Sequence, residues 1–288
     1  MSATPLTWGG RSIPAPGGLP AVAVSLTGPS LAQARSQARS AIDAGADVLE
    51  LRVDLLEETG ALAAPDPLDA ATAAAQVLEC LRGLGEIIAA DGADAGAGAP
   101  LLLTCRTAAE GGRAHLDDTA YGSLLRSVLD GLTDWTPERR PAAIDVEVQR
   151  GCLPQVCAQA HALSIDVVAS FHDFEATPAE EVLEEVLARM AREGADLAKI
   201  AVWPTSADDV ARLLGVCARA TAGAGTGLGV PVAAMSMGAL GAVSRVAPAF
   251  GAALTFAVVP DEQGQARASA PGQLPLQDVR RCLELLRA

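Results

Sequence analysis

Of the 21 cationic side chains in this sequence, 20 are arginine and one is lysine: Lys199, in Leu197-Ala198-Lys199-Ile200-Ala201-Val202-Trp203. Arginine stays protonated in proteins and forms no imine, whereas an amine among apolar residues sheds its charge readily and attacks ketones. A codon bias toward arginine accounts for the other 20 but not for the amine kept here. Schiff-base chemistry is the reading this invites, and the alternative is a structural lysine that snorkels or is ion-paired. His172, in Ser170-Phe171-His172-Asp173-Phe174, ends an apolar run and precedes a helix start at Thr177-Pro178-x-Glu180. An imidazole there can move protons near neutral pH. His115, in a polar loop segment, and His161, in a helical one, read as structural.

The elements that must position these side chains alternate along the chain. Short β-rich runs recur at Ala21–Leu26, Val48–Leu55, Leu101–Thr107, Ala143–Val148, Ile165–Phe171, Leu197–Trp203, Val230–Met237 and Leu254–Val259. Between and after them, helical apolar spacing appears at Leu31–Ala44, Leu68–Ala90, Tyr121–Leu132, Leu153–Leu163, Pro178–Arg192, Ala207–Ala220 and Leu276–Leu286. Such repetition makes a parallel sheet, and eight strands suit an α/β (β/α)8 TIM barrel better than an open doubly wound sheet. The expected organisation is an N-terminal extension over 1–20 and one barrel domain over 21–288.

Barrel side chains alternate between the interior and the helix layer. With Leu49, Leu51, Val53 and Leu55 facing helices, Glu50, Arg52 and Asp54 turn inward together. Thr104 and Arg106, Asp145 and Glu147, Ser170 and His172, and Lys199 follow the same parity. The competing pattern is a set of half-exposed antiparallel strands with one solvated polar face.

Composition narrows the classes. Half the residues are hydrophobic but only 3% aromatic, so Ala, Val, Leu and Ile must build the core. A net charge of −14 disfavours nucleic acid and anionic membranes, while a local basic cleft could still hold a small acid. Six cysteines lie scattered without metal-like or disulfide-like spacing and read as reduced, buried thiols. No signal-peptide pattern opens the chain, and Val230–Pro260 is interrupted by Arg245 and prolines, so a cytoplasmic protein without a membrane span is expected. Asp91–Pro100 reads as an exposed loop. The glycine run over Ala222–Gly229 precedes a strand, so it reads as a turn and not a phosphate cradle.

Taken together, Glu50-Leu-Arg52-Val-Asp54, Arg106-Thr-Ala-Ala-Glu110-Gly-Gly, His172-Asp-Phe, Lys199-Ile-Ala-Val-x-Pro, Met235-Ser-Met237-Gly-x-x-Gly-x-x-Ser244-Arg245, Thr255-Phe256 and Ala268-Ser269-Ala270-Pro271-Gly272-Gln273 resemble the signatures of type I 3-dehydroquinate dehydratases. The similarity runs from about Ser25 to Gln273 and follows successive strands. Trp203 departs from the family's more usual methionine, and Val246–Phe250 is about one residue shorter than in familiar members.

The resemblance implies a cofactor-free and metal-free barrel that converts 3-dehydroquinate to 3-dehydroshikimate in the shikimate pathway. It implies imine formation at Lys199, general acid–base work by His172, and orientation of that histidine by Glu110. Ser25, Glu50, Arg52, Arg106, Ser269 and Gln273 would meet the substrate hydroxyls, and Arg245 would grip the carboxylate. Burial of Lys199 beside Arg52, Arg106 or Arg245 would favour the free amine. A homodimer is the family's tendency, and 288 residues leave no room for a fused dehydrogenase domain. The alternatives are another Schiff-base barrel lyase, such as an aldolase, and a non-catalytic barrel.

Overall fold

The computed structural model describes residues 4–15, 17–63, 69–95, 99–222, 227–260 and 267–287. Strands β1 (Leu6–Trp8) and β2 (Arg11–Ile13) form an antiparallel hairpin. Eight parallel strands follow in chain order: β3 (Ala21–Leu26), β4 (Val48–Arg52), β5 (Leu101–Thr104), β6 (Ala143–Glu147), β7 (Asp166–Asp173), β8 (Leu197–Val202), β9 (Val232–Ser236) and β10 (Leu254–Val258). Neighbours in sequence are neighbours in the sheet, and β10 pairs back onto β3. The Ala253 N–H donates to the Val232 carbonyl (2.7 Å), bringing the start of β10 against β9 and curling the sheet into the expected (β/α)8 barrel. A two-residue strand, β11 (Leu274–Pro275), pairs with the far end of β10.

The helices are α1 (Leu31–Asp43), α2 (Ala70–Ala95), α3 (Asp118–Gly131), α4 (Leu153–Ala162), α5 (Glu180–Arg192), α6 (Ala207–Ala220) and α7 (Leu276–Leu285). Local sequence starts them: Ser30 with Gln33 and Ser206 with Asp209 make reciprocal capping boxes at α1 and α6. None of the described helices is long and apolar enough to cross a membrane. After β9 the chain makes two 3-10 turns, Ala242–Val246 and Pro248–Phe250, instead of an α-helix.

Several boundaries differ from expectation: β5, expected to reach Thr107, ends at Thr104, and α3, expected from Tyr121, starts at Asp118. Helix α2 runs to Ala95, into the segment read as a loop, because alanine's helix propensity outweighs the isolated Gly92. Residues 96–98 of that segment, and 223–226 of the glycine run, lie outside the described residues. Strand β4 ends at Arg52, and Val53–Leu55 turn into a 3-10 helix, so the alternation stops one residue pair early.

The core has two parts. One lies between strands and helices and includes Leu49, Leu51 and Val53, which confirms the outward parity of β4. The other fills the barrel: Ala21, Ala23, Val48, Leu102, Ala143, Val168, Leu197, Ala233 and Leu254 pack around Trp8 and Ile13 of the hairpin. The Trp8 indole donates to Asp166 at the start of β7 (2.7 Å). Along β3 to β8 an apolar interior residue at this end is followed by polar ones toward the C-terminal end, where barrel sites form, whereas β9 and β10 place Met235 and Phe256 there.

Candidate active site

The C-terminal end of the barrel holds a solvent-open cavity enclosing about 460 Å³. Of the ten residues singled out from the sequence, Glu50, Arg52, Arg106, Glu110, His172, Lys199, Arg245, Ser269 and Gln273 line it. Ser25 stands just behind, bonded through its hydroxyl to Glu50. Asp54, expected to face inward with Glu50 and Arg52, stands in the 3-10 helix and meets the cavity through Arg52. Its carboxylate clamps Arg52 through two bonds (2.8 and 2.7 Å) and accepts from the Arg106 backbone N–H (3.2 Å).

Lys199 projects from the middle of β8 with only 5% of its surface exposed. Its Nζ donates to Asp145 Oδ2 (3.2 Å), lies 3.8 Å from Glu50 Oε1, and sits 4.7 Å above the Phe256 ring. Carboxylates, and not the expected arginines, are thus its nearest charged partners. Glu50 is held in turn by the Ser25 and Thr104 hydroxyls, the latter at 2.9 Å.

Arg106 leaves the end of β5 and is enclosed by acids. Its Nη2 donates to Asp145 (2.6 Å) and its Nη1 to Glu147 (3.0 Å) and Ser170 (2.9 Å), with Glu110 at 3.6 Å. Burial alone would lower its pKa, but these acids raise it well above the ordinary value.

His172 stands two residues above the Lys199 level: Ser170 pairs with Lys199, and His172 with Ala201. Its Nδ1 lies 2.8 Å from Glu110 Oε2. Glu110 reaches it because the chain after Arg106 makes a tight 3-10 turn that ends on Gly111 at φ +81. A Cβ at Gly111 would strike the Phe174 ring, and one at Gly112 the Arg106 carbonyl, which explains the paired glycines of that motif. Burial, with Arg106, Lys199 and Arg52 nearby, pushes the His172 pKa well below its ordinary value. Burial raises Glu110 to about 8 despite Arg106. The imidazole is therefore neutral at physiological pH, beside a carboxyl that can keep its proton.

Arg245 is set on the 3-10 turn after β9, which the Thr255 hydroxyl pins by donating to the Arg245 carbonyl (3.0 Å). It is 2% exposed, and its Nη2 donates to the Pro271 carbonyl (3.1 Å). Its Nε is buried with no partner, and no acid among the described residues faces it. Burial accordingly lowers its pKa to about 10. Pro271 belongs to the loop that carries Ser269 and Gln273. The Gln273 amide donates to Ser269 (3.0 Å), and Ser269 donates to Ser25 (2.8 Å), so this loop closes a chain of bonds down to Glu50.

The site is thus an amine, a neutral imidazole and an unpaired guanidinium converging on one cavity, a set suited to a small keto acid. Comparison with known proteins decides the family. A model of the type I 3-dehydroquinase family matches residues 22–288. The chain belongs to the type I 3-dehydroquinase family. It is 37% identical over 272 residues to the 3-dehydroquinate dehydratase of Lactiplantibacillus plantarum, covering 93% of each chain. The solved 3-dehydroquinate dehydratase of Geobacillus kaustophilus superposes with a TM-score of 0.79 at 29% identity, over 99% of this chain and 97% of that one. A type I enzyme from Clostridium difficile gives the same TM-score at 28% identity, over 99% and 98%. The activity is therefore the dehydration of 3-dehydroquinate, a lyase step of the shikimate pathway, and the aldolase and non-catalytic alternatives fall away.

Sequence reasoning left Asp145, Glu147 and Ser170 without a role, although parity had placed all three inside. Phe174, Met235 and Phe256 also line the cavity, as its apolar walls. They stood within the recognised motifs, but nothing in their type alone marked them.

Proposed function

We propose that type I 3-dehydroquinases' Schiff-base route operates here through Lys199 and His172. The Lys199 ammonium gives one proton to His172 and attacks the C3 carbonyl carbon as the free amine; the carbonyl oxygen, taking one proton from the nitrogen and one back from His172, leaves as water and an iminium remains. His172 takes a proton from C2, and the C–H electrons pass into the iminium to form an enamine. The enamine electrons return, the C1–oxygen bond breaks, and His172 gives its proton to the departing hydroxyl. Water then releases 3-dehydroshikimate and restores the amine. Glu110 orients the imidazole through Nδ1 and leaves Nε2 for the transfers.

Arg245 takes the substrate carboxylate, because a buried guanidinium lacking an acid partner is satisfied by a planar anion. Glu50, Arg52, Arg106, Ser269 and Gln273 contact the hydroxyls, with Ser25 supporting Glu50 and Ser269. The observation that carries this reading is the chain's one lysine, buried in the wall of the same cavity as His172. The Clostridium difficile relative carries covalently modified comenic acid, in keeping with it. The reading extends to a homodimer, supported by the family resemblance, and to the cytoplasm, supported by six unpaired cysteines. Sedimentation and cell fractionation test these two.

Borohydride added with 3-dehydroquinate should reduce the imine to a stable secondary amine and inactivate the enzyme. Peptide mapping should find the added mass on Lys199, since the N-terminus is the only other amine. Inactivation with Lys199 unmodified ends the proposal.

A further inference from the structure

Asp145, like Glu147, is fully enclosed, at 0% exposure, and it lies outside the set of residues that line the cavity. It comes from the middle of β6, opposite Val168 of β7, and its two oxygens are divided between two tasks. Oδ1 accepts from Arg106 Nη2 (2.6 Å) and from the Ser170 hydroxyl (2.7 Å), which fixes the carboxylate plane. Oδ2 is left for Lys199 Nζ (3.2 Å). We infer that Asp145 is a positioning residue for the dehydration: a fixed counter-ion that holds the Lys199 nitrogen at the cavity wall and stays opposite it while it is positively charged. This rests on the Schiff-base reading, since only there does the nitrogen carry positive charge both before attack and as the iminium.

The argument is one of geometry and charge. A lysine side chain has four rotatable bonds and would otherwise sample much of the cavity. A bond to a carboxylate that is itself fixed by Arg106 and Ser170 removes much of that freedom. Nζ gives up a proton to attack the substrate carbon, and its positive charge returns on the iminium nitrogen, opposite the same oxygen. An iminium kept protonated is the better electron sink when C2 loses its proton. Burial would raise the Asp145 pKa, but Arg106, Lys199 and the Ser170 hydroxyl hold it below the ordinary value, so the counter-ion stays ionised. The other charged or titratable groups around the amine are Glu50 from β4 at 3.8 Å and, on the rest of the cavity wall, Arg52, Arg106, Glu110, His172 and Arg245. Glu50 sits farther off and is occupied by Ser25 and Thr104.

The test reads the amine directly. Lys199 being the only lysine, its rate of labelling by a small neutral acylating reagent can be followed by peptide mapping across pH, with no substrate present. In Asp145→Asn, which keeps shape but not charge, the midpoint of labelling should move to lower pH by about one unit, with labelling near neutrality about tenfold faster. Turnover should nevertheless fall at least tenfold, with KM changing less than kcat. Ser170→Ala, a milder change, removes a donor from the carboxylate and should move the midpoint the opposite way. An unmoved midpoint in Asp145→Asn, or a KM that rises while kcat holds, makes Asp145 merely a brace for Arg106 and overturns the inference. Should Asp145→Asn not fold, a Ser170→Ala midpoint that stays or falls does the same. Borohydride trapping on the unaltered enzyme separates failure of the Schiff-base reading itself, because labelling does not depend on substrate.

Discussion

At the closed end of the barrel, Trp8 and Ile13 sit among Ala23, Val48, Leu102, Val168 and Leu254, with one indole bond to Asp166 as the main polar contact. A few ångströms along the same strands, the interior positions are Glu50, Asp145, Glu147, Ser170 and Lys199, all under 6% exposed. Backbone and alternation are shared, so the difference lies in the side chains alone. The apolar end gains stability from every methylene it removes from water. The charged end must offset the desolvation of each ion with a partner, and at Arg245 Nε it leaves one unmet. Two kinds of substitution should therefore separate cleanly: those at the mouth change turnover, and those at the floor change stability.

The largest effect belongs to His172→Ala. In the proposed route two proton transfers run through one imidazole, and a positioned acid or base contributes ~10²–10⁴-fold. The expected fall in kcat is ~10⁴-fold, while the melting temperature holds or rises, because a buried polar group on a crowded wall is removed. Borohydride should still trap an adduct on Lys199 with the mass of substrate and not of product. Near-parental turnover would move the base to Glu110 or Glu50.

Trp8→Ala is the mirror image. Truncating a buried tryptophan costs ~3–5 kcal/mol, and here it also strands Asp166 without its indole donor. Denaturant melts should show that loss, with kcat within about twofold of the parent under folding conditions. A large fall in kcat without a stability change would mean that the hairpin reaches the chemistry, and would end the division between floor and mouth.

Arg245→Lys sharpens the mouth side of the comparison. A single ammonium cannot offer a carboxylate two parallel bonds, so kcat/KM should fall by ~2–4 kcal/mol. The effect should lie in substrate capture, with little change in melting temperature. A loss below tenfold would place the carboxylate elsewhere.

How legible these regions were in the sequence follows from the same contrast. Strand order, parity and the mouth residues could be read because alternation puts charge and apolar side chains on opposite faces, and a lone lysine among 20 arginines is conspicuous. The hairpin was not legible: Leu6–Trp8 and Arg11–Ile13 are too short for a periodic signal, and their burial depends on a barrel end that only tertiary structure creates. The role of Asp54 was not legible: parity places it with Arg52 but does not say that it clamps that guanidinium. The partners of Arg106 and Lys199 escaped for a related reason. Parity places Asp145 and Glu147 inside, but it does not say which of several inward charges will touch.

The smallest expected effect is a pH dependence of stability, and it tests whether the mouth carries a cost that the floor does not. Burial raises Glu110 to about 8, so between the ordinary carboxylate range and that value the folded enzyme keeps a proton that the unfolded chain has released. For a raised pKa the stabilisation is complete below the unfolded value and is lost as pH rises through the folded one. His172 shifts the other way: its contribution is present above the ordinary histidine value and is lost as pH falls. Above about pH 7 the histidine is neutral in both states, and Glu110 alone moves. Glu110→Gln cannot ionise, so its melting temperature minus that of the parent should grow as pH rises to about 8 and level off above that. Infrared spectra should show a carboxylic acid C=O band in the parent near pH 6 that fades around pH 8 and is missing from Glu110→Gln. Trp8→Ala, lying at the uncharged end, should lose the same stability across that interval. A band absent already at pH 6, or a gap that does not widen, would mean that the carboxyl is ionised throughout and that His172 faces a full negative charge in the resting enzyme.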